Sequence, residues 1–236
     1  QIILKNIGAI GQKKILTSKV LIVGMGGLGC PVAEFLTRSG IGTLGIVDHD
    51  TVSLSNIHRQ SLYNEKDINQ SKVKIAKKKL NKINSKTKIN IFNLKLNKTT
   101  FEKIIKNYDY IVDGTDNFES KFLINDLSLK YKKFLVTGAI SKFDGHIFTF
   151  NFTNKKNPCL RCFYQEETIS DEILNCEYEG ILGTVAGIIG TLQANEVLKK
   201  ILNIGQNLNG YILILDLLNL NFRKAKINKR KKCLCN

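Results

Sequence analysis

The chain has 236 residues, of which 43% are hydrophobic and 24% are charged, a composition typical of globular domains. A chain of this length can bury a substantial core, and α/β folds of this size commonly form one domain. No apolar stretch reaches the roughly 20 residues that span a bilayer, and no signal peptide is recognisable. We therefore expect a cytoplasmic protein without membrane contact.

The formal net charge of +16 is compatible with a nucleic-acid partner or an acidic protein partner. The lysines, however, are spread with Asn and Ile along the whole chain, and no aromatic-rich basic motif accompanies them. We therefore favour solvated lysine-rich faces over a nucleic-acid site. An acidic protein partner stays compatible with the charge.

The chain opens with a segment, residues 2–16, that suggests a helix or an extended arm. A strand–turn–helix–strand unit follows, with strands at 20–23 and 44–47 and a helix at 31–36 that ends at Ser39-Gly40. Both strands are continuous apolar runs, as expected of strands buried on both faces. This unit contains the sequence Gly24-Met25-Gly26-Gly27-Leu28-Gly29 between its first strand and its helix.

Glycines at the first, third and sixth positions of this loop let the backbone turn tightly and approach a phosphate. The amides at the start of the helix can then hold negative charge. Asp48 ends the second strand, close to where a ribose-binding carboxylate is expected. Because the loop lies between strand and helix, we favour a nucleotide site over glycines that serve only a tight turn.

A polar segment, residues 49–60, follows the second strand at the edge where open α/β sheets bind ligands. Within it, Arg59 can pair with phosphate through its two-pronged guanidinium, and Asn56 can hydrogen-bond the same group. Lys72 begins a predicted helix, 72–83, where its charge would lie beside the amide donors. The alternative for Arg59 and Lys72 is ordinary surface charge, which we would favour for Lys72 taken alone.

A strand at 89–94, a helix at 100–106 and a buried strand at 110–112 come next, and the last ends at the acidic loop 113–117. A carboxylate at the carboxyl end of a central strand can hold Mg²⁺ and leave other coordination positions to phosphate and water. The alternative is that Asp113 or Asp116 caps the following helix, which starts near Glu119.

The period of the sequence changes after a further strand at 135–138. Residues 145–152 alternate between apolar and polar types, which predicts an antiparallel strand. A long helix at 184–204 and closing strands at 211–215 and 219–227 complete the chain. We predict an α/β fold with a Rossmann-like parallel half, about 18–140, that continues into a mixed or antiparallel half, about 141–236, of one sheet.

Four of the six cysteines form two close pairs, Cys159 with Cys162 and Cys233 with Cys235. Four thiolates from two such pairs make a closed structural Zn²⁺ site, although the second spacing is one residue short of the usual knuckle. A disulfide is the alternative, and metal is favoured in a cytosolic protein. A thioredoxin-like redox pair is disfavoured, because a polar loop and not a helix start leads into Cys159.

The remaining cysteines have different surroundings. Cys176 lies in a polar stretch before the long helix, and a nucleophile and an inert thiol are equally compatible with that context. Cys30 lies inside the first predicted helix of the strand–turn–helix–strand unit, where a core position is favoured.

Several motifs, taken together and in this order, resemble the MoeB/ThiF (HesA) adenylyltransferases, relatives of the ubiquitin-activating enzymes. They are GMGGLGC, DHDTVSLSNIHRQ, Lys72 after Asn69-Gln70-Ser71, DGTDN, PCLRC and GTVAGIIGTLQANE. The resemblance covers nearly the whole chain and implies a single adenylation domain, residues 1–236. It also implies ATP-dependent adenylation of the C-terminal carboxylate of a ubiquitin-like sulfur-carrier protein, with release of pyrophosphate.

The resemblance further implies roles for individual residues. The loop glycines Gly24, Gly26, Gly27 and Gly29 would hold ATP, and Asp48 the ribose. Ser55, Asn56 and Arg59 would contact phosphates, Lys72 would stabilise the transferring phosphate charge, and Asp116, with Asn117 close by, would bind Mg²⁺. Cys176 matches a sulfur-handling loop of some relatives, and the paired cysteines, with residues 141–236, match a zinc-bearing, carrier-binding half.

The family also forms homodimers in which an arginine upstream of the segment matching Gln1–Leu4 reaches the neighbouring subunit's ATP, and this chain does not contain that residue. We recognise no rhodanese-like extension in this sequence and expect a sulfur donor to act in trans. The carrier would serve molybdopterin or thiamine synthesis or tRNA thiolation. The alternatives are an NAD-dependent dehydrogenase, a scaffold that only binds the carrier, and a tRNA-modifying relative, which would generally lack the paired cysteines.

Overall fold

The computed structural model describes residues 1–164 and 180–235. Among the helices in this part of the chain, none is both long and apolar enough to cross a bilayer.

Helices and strands alternate regularly through the amino-terminal half. Its elements are α1 Gly8–Thr17, β1 Lys19–Val23, α2 Gly29–Ser39, β2 Thr43–Val47, α3 Lys72–Ile83, β3 Lys88–Phe92, α4 Lys98–Ile105 and β4 Tyr110–Asp113. The second half contains α5 Phe118–Lys130, β5 Phe134–Ser141, β6 Asp144–Asn151, α6 Leu160–Phe163, α7 Gly183–Leu202, β7 Tyr211–Asp216 and β8 Asn221–Lys226.

All of these strands belong to one sheet with the order β3-β2-β1-β4-β5-β6-β7-β8. The strands from β3 to β5 are parallel, and those from β5 to β8 are antiparallel. The predicted fold, a parallel half that continues into an antiparallel half of the same sheet, is confirmed. Successive strands are added to one side of β1 up to β3 and to its other side from β4 onward. Such a switch in strand order opens a ligand crevice at the carboxyl ends of the strands.

The central strands are mostly apolar, as expected where helices cover both faces of the sheet, and in β1 only the first residue, Lys19, is exposed. The side chains of β1 from Val20 to Ile22 are fully buried. Helices α2, α3 and α7 pack together, whereas α4 packs against α5, and two separate core clusters correspond to these two groups.

Element boundaries differ from the sequence prediction in several places. The helix predicted within 2–16 begins only at Gly8. Strand β5 continues past Gly138 to Ser141 because its second half pairs with β6, where Gly138 lies opposite Ile147. Helix α7 ends at Leu202, because Asn203 adopts a left-handed conformation with φ of 57°.

Small residues in α7 allow this helix to approach the loops of the parallel half closely. A Cβ atom added at Gly190 would lie 2.5 Å from the carbonyl oxygen of Leu28, and one added at Gly183 would lie 2.3 Å from that of His58. Backbone therefore packs directly on backbone at both points. The small residues of the GTVAGIIG motif thus fix α7 against the glycine loop.

Replacement of Gly29 by alanine is expected to destabilise the protein, because the new Cβ would lie 1.9 Å from the carbonyl oxygen of Gly24. The expected loss in the free energy of unfolding is about 1–3 kcal/mol, as is typical when atoms are forced into a packed site. Urea denaturation measures it.

Gly187, in the interior of α7, provides the matched control, because a Cβ atom added there would have no atom of the described residues within 4 Å. Gly187→Ala should raise the free energy of unfolding by about 0.5–1 kcal/mol, since alanine restricts the unfolded chain. Equal effects at the two positions would contradict the packing described for Gly29.

Candidate functional site

A cleft of about 880 Å³ opens at the carboxyl ends of the parallel strands. Of the residues predicted to bind the nucleotide, only Gly29 does not line it. The others do: Gly24, Gly26, Gly27, Asp48, Ser55, Asn56, Arg59, Lys72, Asp116 and Asn117. The fold therefore brings together side chains from the loops after β1, β2 and β4, while their roles toward a ligand stay predictions.

The glycine loop passes directly beside the turn that follows β4. Gly24 has a φ of 89°, and a Cβ atom there would lie 2.8 Å from the carbonyl oxygen of Gly114. Only glycine satisfies both conditions at low cost. The close approach of these two backbones forms one wall of the cleft, and the N–H groups of Gly24 and Gly114 donate to the carbonyl oxygens of Val47 and Val23.

Asp48 fixes the same loop from the side of β2. Its Oδ2 accepts a hydrogen bond from the backbone N–H of Met25 at 2.7 Å, and its Oδ1 accepts one from that of Asp50 at 2.8 Å. The carboxylate is partly exposed and lines the cleft. It can therefore organise the loop and still offer an acceptor to a ligand.

Lys72 is a buried cation at the cleft, with 5% of its surface exposed. Its Nζ lies 3.0 Å from Oδ2 of Asp50, whose other oxygen lies 3.3 Å from Nε2 of His49. Surface charge, the alternative considered from the sequence, is wrong for this residue. Burial of an ammonium group is costly unless it is paired, so Asp50 holds Lys72 in place at the start of α3.

Arg59 is half-buried and is held by its own loop. Its Nη1 donates to the carbonyl oxygen of Ser55 at 3.0 Å and lies 2.8 Å from Nε2 of His58. The guanidinium belongs to the cleft lining together with Asn56. Arg59 and Lys72 therefore give this end of the cleft a positive character suited to phosphate.

The two acids of the loop after β4 have different environments. Asp113 is fully buried; its Oδ1 accepts hydrogen bonds from the backbone N–H and the hydroxyl of Thr115, and its Oδ2 from Lys121. Both oxygens are thus occupied within the protein. Asp116, by contrast, is exposed in the cleft, which leaves its carboxylate available to a cation.

The alternative considered for the two acids, that Asp113 or Asp116 caps the following helix, is wrong. Asn117 is the residue immediately before α5, and its Oδ1 accepts a hydrogen bond from the backbone N–H of Ser120 at 2.9 Å. An amide oxygen at this position is as good a cap as a carboxylate. Asn117 therefore has a structural role at the edge of the cleft.

Two buried polar residues beside the cleft were not predicted from the sequence. Lys121 is 4% exposed, and its Nζ also donates to the carbonyl oxygen of Gly138 at 2.6 Å. Gln193 is fully buried, and its Nε2 donates to the carbonyl oxygen of Asp113 at 2.8 Å. The sequence carries no distinguishing signal for either residue, because both lie in helices that contain several other polar residues.

The four paired cysteines meet at a second centre, away from the cleft. Sγ of Cys159 lies 3.5 Å from that of Cys233, and Sγ of Cys162 lies 3.5 Å from that of Cys235. All four sulfur atoms lie within 4.8 Å of one another, and all four thiols are free. A disulfide would require a separation of about 2.05 Å. The short spacing between Cys233 and Cys235 therefore does not prevent the two cysteine pairs from meeting.

The acidities of these thiols reflect their burial. Burial raises the pKa of Cys235 to about 12 and that of Cys159 above its ordinary range. Burial also opposes ionisation of Cys162, but hydrogen bonds, including those from the backbone of Cys159 and Arg230, outweigh it and lower the pKa. Such thiols ionise together only when a cation compensates their charge.

Helix α5 connects the cleft with the cysteine centre. Oδ1 of Asn125, a fully buried residue, accepts a hydrogen bond from the backbone N–H of Leu160 at 2.9 Å. Arg161 forms two hydrogen bonds of 2.9 Å with the two carboxylate oxygens of Asp126. The short helix α6, which carries Cys162 and follows Cys159, is therefore fastened to the helix whose first turns line the cleft.

The other two cysteines are separate from both sites. Cys30 is fully buried in α2, where burial raises its pKa to about 12, and its predicted core position is confirmed. Cys176 lies outside the described residues, so its predicted role stays a prediction.

Known proteins resemble this chain along its whole length. The family described as the ThiF family matches residues 1–236. The adenylyltransferase and sulfurtransferase MOCS3 of Dictyostelium discoideum is 40% identical over 100% of this chain and 55% of its own length. The sulfur carrier protein adenylyltransferase of Thermus thermophilus is 35% identical over 99% of this chain and 87% of its own length.

A probable molybdopterin-synthase adenylyltransferase of Gracilaria tenuistipitata var. liui is 39% identical over 96% of this chain and 63% of its own length. The chain thus spans little more than half of some of these relatives. The crystal structure of E. coli MccB with ATP has the same fold, with a TM-score of 0.84, 22% identity and coverage of 95% of this chain and 68% of that one. On the match to its full length and on these relatives, the chain belongs to the ThiF family.

Proposed function

We propose that this chain is an ATP-dependent adenylyltransferase that activates the C-terminal carboxylate of a ubiquitin-like sulfur-carrier protein. The observation that carries the proposal is the cleft, which joins a glycine loop, the cations Arg59 and Lys72 and the exposed carboxylate of Asp116. Relatives from Thermus thermophilus and Gracilaria tenuistipitata var. liui are named for adenylyl transfer to a sulfur carrier and to molybdopterin synthase.

In this reaction a carboxylate oxygen of the carrier attacks the α-phosphorus of ATP. The new oxygen–phosphorus bond gives a carrier–adenylate, and the bond to the β-phosphate breaks, so that pyrophosphate leaves with the electron pair. The attacking carboxylate is already ionised at neutral pH. The step therefore requires alignment of the reactants and stabilisation of the developing negative charge, and it requires no general base.

The lining residues match these requirements. The loop from Gly24 to Gly27 would hold the phosphates through backbone amides, and Asp48 would accept a hydrogen bond from the ribose. Arg59, with Ser55 and Asn56 beside it, would bind phosphate oxygens. Lys72 would stabilise the charge on the transferring phosphate, because Asp50 holds its ammonium group at the start of α3.

Asp116 fits a magnesium ion by its chemistry and its exposure. It offers a hard carboxylate oxygen within the cleft, and Mg²⁺ is commonly held by one or two carboxylates together with substrate phosphates. When bound, the ion would supply charge neutralisation for the phosphates. Asn117, although it caps α5, lies next to it at the same edge.

A nicotinamide-dependent dehydrogenase would use the same glycine loop and Asp48, but it has no need of the buried Lys72 or of an exposed metal-binding acid. Membership of the ThiF family also speaks against it. A scaffold without catalysis is disfavoured by the intact cationic cleft. The paired cysteines disfavour a tRNA-modifying relative, and the pathway that the carrier serves, molybdopterin or thiamine synthesis or tRNA thiolation, stays open.

We also propose that the cysteine centre holds a structural zinc ion. Four free thiols at 3.5–4.8 Å separations fit a tetrahedral zinc site, in which sulfurs about 2.3 Å from the metal lie about 3.8 Å apart. The ion would join the C-terminal segment to α6 and to the residue before it. We propose further that residues 141–236 carry the zinc and the carrier surface and that the protein is a cytoplasmic homodimer. Cys176 would take part only in a later sulfur step.

The function is tested by carrier-dependent exchange of labelled pyrophosphate into ATP. Wild-type protein should catalyse exchange with a sulfur carrier, and Lys72→Met should lower the rate on the order of 10²-fold, because it removes charge stabilisation of the transferring phosphate. Lys74→Met provides the control, because Lys74 is an exposed lysine of the same helix and should leave the rate unchanged.

No exchange by the wild type with any carrier that ends in a free carboxylate would overturn the proposed activity. Equal losses for Lys72→Met and Lys74→Met would keep the activity but remove the special role of Lys72.

Elemental analysis of protein purified without chelators should find one zinc ion per chain. Cys162→Ser should lose the metal and lower the melting temperature, because a structural zinc site contributes directly to folding free energy. Cys30→Ala, which removes a thiol in the core, should keep the metal. Zinc-free wild-type protein with the same stability would rule the site out.

A further inference from the structure

Lys121 and Asp113 form a buried ion pair at the cleft that the proposed reaction does not use directly. Nζ of Lys121 lies 3.1 Å from Oδ2 of Asp113, and the two residues are 4% and 0% exposed. The same Nζ donates to the carbonyl oxygen of Gly138 in β5. Because removal of one partner would leave an uncompensated buried charge, each of the two holds the other in place.

The second oxygen of Asp113 controls the loop that carries Asp116. Oδ1 accepts hydrogen bonds from the backbone N–H of Thr115 at 2.9 Å and from its hydroxyl at 2.6 Å. The far end of the loop is fixed by the cap that Asn117 provides for α5. Asp116 lies between these two anchors and is itself exposed.

We propose that Lys121 is a positioning residue for the nucleotide-bound magnesium ion. It orients the buried carboxylate of Asp113, which in turn shapes the loop so that Asp116 presents its carboxylate to the cation. This inference rests on the proposed function, because it assigns Lys121 to the same site. Residues that orient a metal ligand from behind typically change metal affinity 10- to 100-fold when they are removed.

Substitution of Lys121 by methionine removes the charged amine and keeps an unbranched side chain that is one atom shorter. The carboxylate of Asp113 then lies buried without a cation, so it must take up a proton or move toward water. Either change disturbs its hydrogen bonds to Thr115, and Asp116 loses its fixed position. The expected loss of ATP affinity is larger with magnesium than without it, because Asp116 lies in the loop that Thr115 anchors, whereas Asp48 and Lys72 make no hydrogen bond to Lys121 in the described structure.

Calorimetry of ATP binding, once with Mg²⁺ and once with EDTA, provides the readout. The ratio of the two affinities measures how much magnesium improves binding. Lys121→Met should lower this ratio by about tenfold or more. Lys130→Met, the same substitution at an exposed position in the last turn of α5, should leave it unchanged.

A double-mutant cycle tests whether Lys121 acts through Asp116. In the Asp116→Ala background, Lys121→Met should change the ratio by less than about twofold. The effects of substitutions at residues that act through one another are not additive. Thr115→Val removes the hydrogen bond from the Thr115 hydroxyl to Asp113 at a partly exposed position, and it should also lower the ratio. This milder variant decides the matter if Lys121→Met does not fold.

Several results would overturn the inference. An unchanged ratio in folded Lys121→Met, or in Thr115→Val if the former does not fold, would show that the pair does not position the metal ligand. An equal loss of ATP affinity with and without magnesium would indicate a structural role only. Full additivity with Asp116→Ala would mean that Lys121 acts elsewhere. Wild-type protein whose ATP binding does not respond to magnesium would overturn the proposed function itself, and this inference with it.

Discussion

The structure depends on one buried carboxylate, that of Asp113 at the end of β4. It has no exposed surface, so its charge must be balanced within the protein. Lys121 from α5 supplies the cation, and Thr115 in the following loop supplies two further donors. Gln193 from α7 donates to the backbone carbonyl of the same residue. Strand, loop and both helices are thus joined at the floor of the cleft.

This arrangement constrains the residues around it. A Cβ atom at Gly138 would lie 2.8 Å from the side-chain amide of Gln193, so only glycine lets α7 approach β5 there. Gly24 meets the turn after β4 equally closely. The close contacts and the buried ion pair make this part of the scaffold rigid, whereas the groups that would meet a ligand, Asp116 and Arg59, are exposed or half-buried. A rigid base with accessible functional groups is what alignment of two reactants requires.

Much of this could be predicted from the sequence, because the signals are local. A buried strand, a glycine loop and the acid of Asp48 follow one another along a short segment, and the predicted helix from Lys72 to Ile83 has the same bounds in the structure. The meeting of the cysteine pairs was also predicted, since two pairs of thiols have few other uses.

Features set by distant pairing could not be predicted in this way. Burial of Lys121 depends on Asp113 and on the carbonyl of Gly138, which lie in other elements. The extension of β5 depends on its pairing with β6. Asn117 was predicted to lie beside the bound magnesium ion. Its capping role depends on which residue of the loop lies directly before the helix. The burial of Lys72, likewise, follows from its pairing with Asp50 and not from its lysine-rich surroundings.

The cleft is expected to accept a triphosphate with its magnesium ion in preference to a dinucleotide. Direct competition in a calorimeter tests it: the protein is titrated with ATP and Mg²⁺ in the absence and presence of saturating NAD⁺. We expect measurable ATP affinity that NAD⁺ does not reduce, because Arg59 and Lys72 would bind the triphosphate and Asp116 its cation. Tight binding of NAD⁺ together with no binding of ATP would contradict it.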